Sequence, residues 1–165
     1  MPLPGQSSGT EAEEPHIQYA ALPWRMPGKR LEILLLTSRD TGRWVIPKGW
    51  PKKGLEPWET AAEEAYEEGG IHGVIEQAAL GWYDYRKRMG DKDDLDCRVE
   101  VFPLQVRSES YTFPESGQRQ RKWFDARRAA ALVDEPDLRR LMTKFIRKHA
   151  FRRAYRRLLP IKPTK

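Results

Sequence analysis

Three glutamates in one short segment are the residues of this chain best suited to chemistry. Glu64, Glu67 and Glu68 stand at i, i+3 and i+4, a spacing that places their carboxylates on one face of a helix. They come just before Gly69 and Gly70, a helix stop signal, where the negative pole of the helix dipole disfavours each carboxylate by up to about 1 kcal/mol. Mg²⁺ binds carboxylate oxygens together with waters and substrate phosphates. The cluster therefore predicts a divalent cation site that acts on phosphate groups.

The remainder of this helix does not relieve the repulsion. Residues 56–68 contain six glutamates and no lysine or arginine, so no i,i+4 ion pair can form within the segment. A projection at about 100° per residue separates the clustered glutamates from a second acidic group. That second group lies in a more exposed sector and is interpreted as ordinary surface charge; its members are Glu56, Glu59 and Glu63.

The loop before the helix supplies positive charge. Lys48, Lys52 and Lys53 lie in one short stretch that also contains Gly49 and Gly54. Glycine lets the backbone approach a ligand closely, and a lysine ammonium is a compact charge suited to phosphate. A basic loop that runs into an acidic helix indicates phosphate chemistry at a metal.

The elements that must position these residues are predicted to include both strands and helices. The acidic helix is predicted to begin at Pro57 and to stop at Gly69. Asp125 can cap a short helix over residues 126–133, and a final helix is predicted over residues 137–151. Apolar runs bounded by turn residues predict strands at residues 17–26, 31–39, 43–47, 73–88, 94–109 and 121–125.

Residues 49–71, GWPKKGLEPWETAAEEAYEEGGI, resemble the Nudix box, G-x5-E-x7-R-E-U-x-E-E-x-G-U, where U is aliphatic. Two box positions depart from the pattern, since Leu55 replaces the first glutamate and Glu63 replaces the arginine. Both losses fall on partners thought to orient the site, so one compensating change could explain both. The positions that agree are Gly49, Glu64, Glu67, Glu68, Gly70 and Ile71.

The resemblance extends over roughly residues 18–145 and is strongest to the diphosphoinositol polyphosphate phosphohydrolase branch and its bacterial relatives. The segments TSR, VIPKG and RKWF carry it outside the box. It implies the α/β fold of that family, an α/β/α sandwich with a mixed β-sheet and the Nudix loop-helix-loop. It also implies hydrolysis of a diphosphate linkage.

The resemblance further implies a ligand set and a catalytic base. Mg²⁺, with Mn²⁺ as a substitute, would be held by Glu64, Glu67 and Glu68 and by a backbone carbonyl at Lys48 or Gly49. Glu64 is the first choice for the base that takes a proton from water. Glu100, on a later strand, is the alternative base, although an outward-facing strand residue is an equally simple interpretation of it.

Several basic residues are candidate contacts for substrate phosphates. For each of them, an ordinary solvated surface charge is an equally good interpretation. The candidates are Arg39, Lys48, Arg86, Lys87, Arg88, Arg119 and Arg121. The aromatic candidates for stacking on a base are Trp44, Trp50 and Tyr83, each of which is also typical of a core.

The residues before the first core strand bear on the substrate. Human-type members of the branch carry a basic cluster there, where this chain has Ile17, Gln18 and Tyr19. Fewer cations bind fewer phosphates, so a nucleoside diphosphate derivative or a dinucleoside polyphosphate becomes comparable to a diphosphoinositol polyphosphate as the predicted substrate. The partner is in each case a phosphorylated small molecule.

Charge is distributed unevenly along the 165 residues. Residues 138–165 hold 11 of the 30 basic side chains and no acidic one, which leaves 19 basic against 24 acidic residues elsewhere. The predicted organisation is a disordered leader over 1–15, a hydrolase domain over 16–150 and a basic tail over 151–165. One cysteine, no metal-ligand spacing of histidines and no long apolar run predict a cytoplasmic protein without a membrane segment.

Two other functions remain open at this point. The basic tail favours an RNA 5′-end pyrophosphohydrolase or a module with weak nucleic-acid contacts, while plain solubilising charge explains the same residues. The departures at Leu55 and Glu63 favour a binding or regulatory protein of the same fold without catalysis. Nothing in the sequence indicates an oligomeric state.

Overall fold

The computed structural model describes residues 12–158. Residues 1–11 of the predicted leader and residues 159–165 of the predicted tail lie outside this range. Within it, the chain forms eight strands and three helices: β1 (His16–Arg25), β2 (Glu32–Thr37), β3 (Trp44–Val45), β4 (Lys48–Gly49), α1 (Pro57–Gly69), β5 (Ile71–Ile75), β6 (Gly81–Lys87), β7 (Leu95–Glu109), β8 (Arg121–Asp125), α2 (Ala126–Leu132) and α3 (Pro136–Leu158).

The strands form one mixed sheet with β1 at its centre. The order is β3-β2-β1-β7-β5, with β4 also paired to β1, β6 to β7 and β8 to β2. β1 and β7 are parallel, with Ala20 opposite Val101, and the other pairs are antiparallel. The two-residue strand β4 pairs Gly49 with Tyr19, so the loop that precedes α1 is tied to the sheet centre.

Helices cover both faces of the sheet. Successive strand residues point to opposite faces, so Leu22 of β1 packs with α2 and α3 around Met142, while Ala21 packs with α1 around Ala65. Strands buried on both faces are continuously aliphatic, as in the run of residues 33–36. The predicted α/β/α sandwich with a mixed sheet is confirmed.

α1 begins and ends at the residues that its sequence predicts. Pro57 occupies the first turn, and the Glu56 backbone N–H donates to the Glu59 carboxylate at 2.8 Å. Gly70 ends the helix with φ 64°, a left-handed conformation that favours glycine, and its N–H donates to the Tyr66 carbonyl at 2.8 Å. These ends fix which face of the helix meets the sheet.

Two predicted elements differ from the structure. The run over residues 73–88, predicted as one strand, is two strands, because β5 pairs with the second half of β7 and β6 with its first half. The final helix, predicted to end at residue 151, continues to Leu158. Residues 152–158 are helix-compatible and contain no glycine or proline that would stop them.

No helix among residues 12–158 is both long and apolar enough to cross a membrane.

Candidate active site

A cleft of about 540 Å³ opens beside α1, and its lining carries more cations than anions. Most of its lining comes from five segments: the turn after β2, the loop from β4 toward α1, α1 itself, the end of β6 and the loop before β8. Gln18 of β1 and Val45 of β3 complete it. Its acidic side chains are Asp40, Glu64, Glu68 and Glu115. Its basic side chains are Arg39, Arg43, Lys48, Lys52, Arg86, Lys87, Arg88 and Arg119. This excess of positive charge suits a polyanionic ligand.

Most of the residues predicted as site residues line this one cleft. Among the predicted metal ligands and bases, Gly49, Glu64 and Glu68 do so, whereas Glu67 lies beside it through its bond to Lys52. Six of the seven predicted phosphate contacts also line it: Arg39, Lys48, Arg86, Lys87, Arg88 and Arg119. Segments far apart in the sequence are therefore brought together as the resemblance implied.

Gly49 lies directly against the Glu64 carboxylate. A Cβ added at this position would overlap the carboxylate carbon and both of its oxygens. The pairing of β4 with β1 holds the Gly49 backbone here, and Glu64 is buried on the facing side of α1. A larger residue here would push the Glu64 carboxylate out of its present place, so glycine allows the backbone and this carboxylate to lie side by side.

Glu68 is the most strongly perturbed carboxyl of the cleft. It is 8% exposed, and burial raises its pKa to about 7, against the opposing effect of the Arg119 and Lys48 charges. Its nearest cation is the Arg119 guanidinium, at 3.6 Å. Arg119 is held in place by the Thr37 carbonyl at 3.3 Å and by Glu115 at 3.4 Å. A buried carboxylate with a raised pKa is an unsatisfied anion, which a cation would stabilise.

Lys52 connects the other glutamates. Its Nζ lies 2.9 Å from Glu67 Oε1, 3.1 Å from Glu64 Oε1 and 3.6 Å from Glu63 Oε1. Although burial acts in the opposite direction, hydrogen bonds to Glu67 and Glu64 raise the pKa of Lys52, so the ammonium stays charged. The neighbouring Lys53 is exposed and does not line the cleft.

The acidic cluster fits a hard cation by its chemistry but is not preformed. Among residues 12–158, no three His, Cys, Asp or Glu side chains are already arranged as a metal-binding group, so the ligand set of Glu64, Glu67 and Glu68 stays a prediction. The reason is visible in the contacts, since Lys52 holds Glu64 and Glu67 while Glu68 faces Arg119. The Lys52 ammonium is a stand-in cation on the two carboxylates, and oxygen donors of this kind suit Mg²⁺ or Mn²⁺.

A second ion pair holds one of the residues that line the cleft, and the sequence did not predict this pair. Arg43, which lines the cleft, contacts buried Glu135 at 2.6 Å. Nearby, the Tyr85 hydroxyl donates to Gln18 at 2.6 Å, and Lys48 Nζ lies 5.2 Å from the centre of the Tyr85 ring. Burial lowers the pKa of Lys48, while the charge of Glu68 opposes this. No local motif marks Arg43 and Glu135 as partners, because they come from separate segments.

Arg121, a predicted phosphate contact, does not line the cleft. Its guanidinium donates to the Gly69 carbonyl at 2.6 Å and lies over the Phe113 ring, so it caps the carboxyl end of α1 instead of lining the cleft. Glu100, the alternative base, pairs with Tyr19 and Trp82 in the sheet and does not line the cleft either.

Two of the three aromatic candidates for stacking belong to the core. Tyr83 is almost completely buried, and Trp44 packs edge-on against Phe124 at 4.9 Å. Trp50 is 38% exposed, lines the cleft and carries Lys87 Nζ at 4.8 Å from its ring centre. Of these three, only Trp50 offers a face to a ligand.

Comparisons with known proteins agree with this geometry. The NUDIX domain family model matches residues 15–145. Nudix hydrolase 12, mitochondrial, of Arabidopsis thaliana is 29% identical over 121 residues, which cover 72% of this chain and 60% of that protein. Diphosphoinositol polyphosphate phosphohydrolase 3-alpha of Mus musculus is 29% identical over 123 residues, covering 73% and 71%. The chain thus spans about three fifths of the length of the Arabidopsis relative.

A solved structure shows the same fold. The binary complex of a C. elegans Ap4A hydrolase superposes with a TM-score of 0.61 at 21% identity, over 82% of this chain and 98% of that one. The family predicted from residues 49–71 is therefore confirmed. Because the family model covers well over half of the chain, this protein is a member of the NUDIX domain family.

Proposed function

We propose that this protein is a Mg²⁺-dependent pyrophosphohydrolase, with Mn²⁺ as a substitute metal. Its substrate would be a nucleoside diphosphate derivative, a dinucleoside polyphosphate or a diphosphoinositol polyphosphate. The observation that carries the proposal is the meeting of Glu64, Gly49 and Glu68 with a ring of basic side chains in one cleft. Carboxylates for a metal and cations for phosphates are the two requirements of diphosphate cleavage.

Each group has a role in this proposal. Glu64, Glu67, Glu68 and the backbone carbonyl of Gly49 would hold the metal, which polarises phosphate oxygens and lowers the pKa of a bound water. Glu64 accepts the proton of the attacking water. The basic side chains on the opposite walls orient the diphosphate; they are Arg39, Lys48, Arg86, Arg88 and Arg119.

The cleft carries many cations although the start of β1 carries few. The absence of basic residues at Ile17, Gln18 and Tyr19 favoured a ligand with few phosphates, but eight basic side chains from other segments line the cleft. The mouse relative is a diphosphoinositol polyphosphate phosphohydrolase, and the nematode neighbour is an Ap4A hydrolase. All three substrate classes stay in the proposal, and exposed Trp50 supports those that carry a base.

A substrate panel with Mg²⁺ or Mn²⁺ tests this function. We expect phosphate or mononucleotide release from at least one diphosphate-containing compound, and a loss of about 100-fold or more in Glu68→Gln, since a metal supplies several kcal/mol of transition-state stabilisation. Glu59→Gln is the matched control, because Glu59 lies at the other end of α1 and an amide oxygen can still accept the Glu56 N–H. Absence of metal-dependent turnover on the whole panel would support the non-catalytic alternative instead.

One observation favours nucleic acid as a second ligand. The last turns of α3 combine basic residues with exposed Phe151 and Tyr155, the pairing of cation and aromatic that binds single strands. An RNA 5′-end pyrophosphohydrolase would bind the RNA strand along this surface and the 5′ end of the RNA in the cleft. Replacing Arg152 and Arg156 with glutamine should then lower the magnitude of the slope of log binding constant against log salt concentration by about 1.4 units, and an unchanged slope would reject this function. The domain limits 16–150 and the cytoplasmic location stay predictions.

A further inference from the structure

We infer that Lys52 is a built-in counter-ion that competes with the divalent cation for Glu64 and Glu67, and that it thereby sets the metal affinity of the site. The inference rests on the proposed function, because it concerns the same metal. It goes further in naming a residue of this chain that opposes metal binding.

The contacts of Lys52 are those of a cation in a carboxylate site. Its Nζ reaches Glu67 and Glu64 at 2.9 and 3.1 Å and Glu63 at 3.6 Å, and its side chain is 27% exposed. A surface lysine that pairs with a single carboxylate is only weakly held in place. Three carboxylates around one partly buried ammonium form a network, and the ammonium neutralises a face of α1 that carries no cation of its own.

The loop presents Lys52 inward by its own geometry. The Lys52 carbonyl accepts the Leu55 backbone N–H at 3.2 Å, and Gly54 has φ 82°, which closes a tight turn. β4 fixes the loop on one side, and Pro57 begins α1 on the other. Lys53 points to solvent from the same turn, so the two adjacent lysines have different surroundings.

The departures from the box pattern agree with this role. The pattern has an arginine where this chain has Glu63, and a glutamate where it has Leu55. The positive charge is therefore missing from α1 and is supplied from the loop, where Lys52 approaches Glu63 itself. A cation on the flexible four-carbon side chain of lysine can swing away from the carboxylates.

Lys52 and a metal ion compete for the same two carboxylates. Mg²⁺ needs oxygen ligands at about 2.0–2.1 Å, and the ammonium already lies against Oε1 of both Glu64 and Glu67. The two cations also repel each other at this separation. We therefore expect metal binding at these oxygens to displace Lys52, which until then keeps the acidic cluster neutralised.

The test compares Lys52→Met with Lys53→Met in the full chain without substrate. Mn²⁺ affinity is measured at one pH and ionic strength from the electron paramagnetic resonance signal of the free ion. We expect Lys52→Met to bind Mn²⁺ about tenfold more tightly than the unchanged protein, and Lys53→Met to bind within about twofold of it. Lys52→Arg, which keeps the charge, should stay close to the unchanged protein.

A second measurement separates competition from a purely structural role. In EDTA, Lys52→Met should have a lower melting temperature than the unchanged protein, and saturating Mn²⁺ should remove that difference. Unchanged or weaker Mn²⁺ binding by Lys52→Met would overturn the inference. Should Lys52→Met fail to fold by circular dichroism, Lys52→Gln takes its place with the same expected results.

The outcomes also distinguish this inference from the proposed function. If the unchanged protein binds Mn²⁺ and hydrolyses a diphosphate while Lys52→Met shows no gain in affinity, the inference fails and the function stands. If neither protein binds Mn²⁺, both fail.

Discussion

Replacing Glu68 with glutamine should stabilise the metal-free protein near and above neutral pH while it removes hydrolysis. Burial raises the pKa of Glu68 from 4.5 to about 7, although Arg119 and Lys48 oppose the rise. Between these two values the folded protein keeps a proton that the unfolded chain has released. Because the folded state binds more protons, its free energy of unfolding falls as pH rises from 4.5 to about 7 and is constant above that.

The size of this effect follows from the pKa. A rise from 4.5 to about 7 corresponds to about 3 kcal/mol of free energy of unfolding, lost over that range of pH. Glutamine stays neutral and avoids the loss. At 8% exposure, solvent does little to screen the carboxylate, so the difference between variant and unchanged protein should grow by up to about 3 kcal/mol from pH 4.5 to pH 8.

Urea denaturation in EDTA at several pH values measures this difference. Glu59→Gln serves as the control, and its free energy of unfolding should differ from that of the unchanged protein by a constant amount. Adding Mg²⁺ should reverse the order, since the metal stabilises only the protein with its ligand intact. A Glu68→Gln protein that is less stable than the unchanged one at pH 8 in EDTA, or a difference independent of pH, would refute the reasoning.

Three further perturbations test the site and its support. Gly49→Ala should weaken Mn²⁺ binding and turnover by about tenfold or more, because the new Cβ overlaps the Glu64 carboxylate. The circular dichroism spectrum should be unchanged, and full activity would contradict the close approach. Glu135→Gln should lower the free energy of unfolding by about 1–3 kcal/mol in urea, because it weakens the hold on Arg43 at 2.6 Å; an unchanged midpoint would argue against that pair. Burial lowers the pKa of His149 below 6.5, so the unfolded chain takes up a proton first and stability should fall as pH drops below 6.5. His149→Gln should remove this part of the dependence of melting temperature on pH. The same pH dependence in variant and unchanged protein would contradict the prediction.

Much of the fold could be predicted because its signals are local. Pro57 and Gly70 mark both ends of α1, and Asp125 caps α2 by accepting the Arg127 N–H at 3.1 Å. The division of residues 73–88 into two strands could not be predicted, because it depends on the length of β7, which offers a separate partner to each half. Strand propensity indicates that a residue is compatible with a β-sheet, but it does not identify the strand with which that residue will pair.

The acidic part of the site could be predicted because it violates an ordinary rule of helix design. Glu64 and Glu68 are disfavoured where they stand unless a cation is nearby, and that conflict is visible in the sequence. Arg43 and Glu135 follow no such rule, since their pairing joins the loop after β2 to the start of α3. Tyr83 was a candidate for stacking on a base because it is aromatic. It belongs to the core instead, because it lies on the side of β6 that packs against α3.

The parallel pairing of β1 with β7 determines when during synthesis the cleft can be assembled. Ala20 lies opposite Val101, so the strand at the sheet centre waits for a partner that leaves the ribosome much later. All of the acidic helix is translated in between and has no completed sheet to pack against at that stage. Such long-range closure slows folding and leaves the edge of β1 that β7 will cover open to other chains until residue 109 has emerged, so we expect the nascent protein to be most prone to aggregation at that stage.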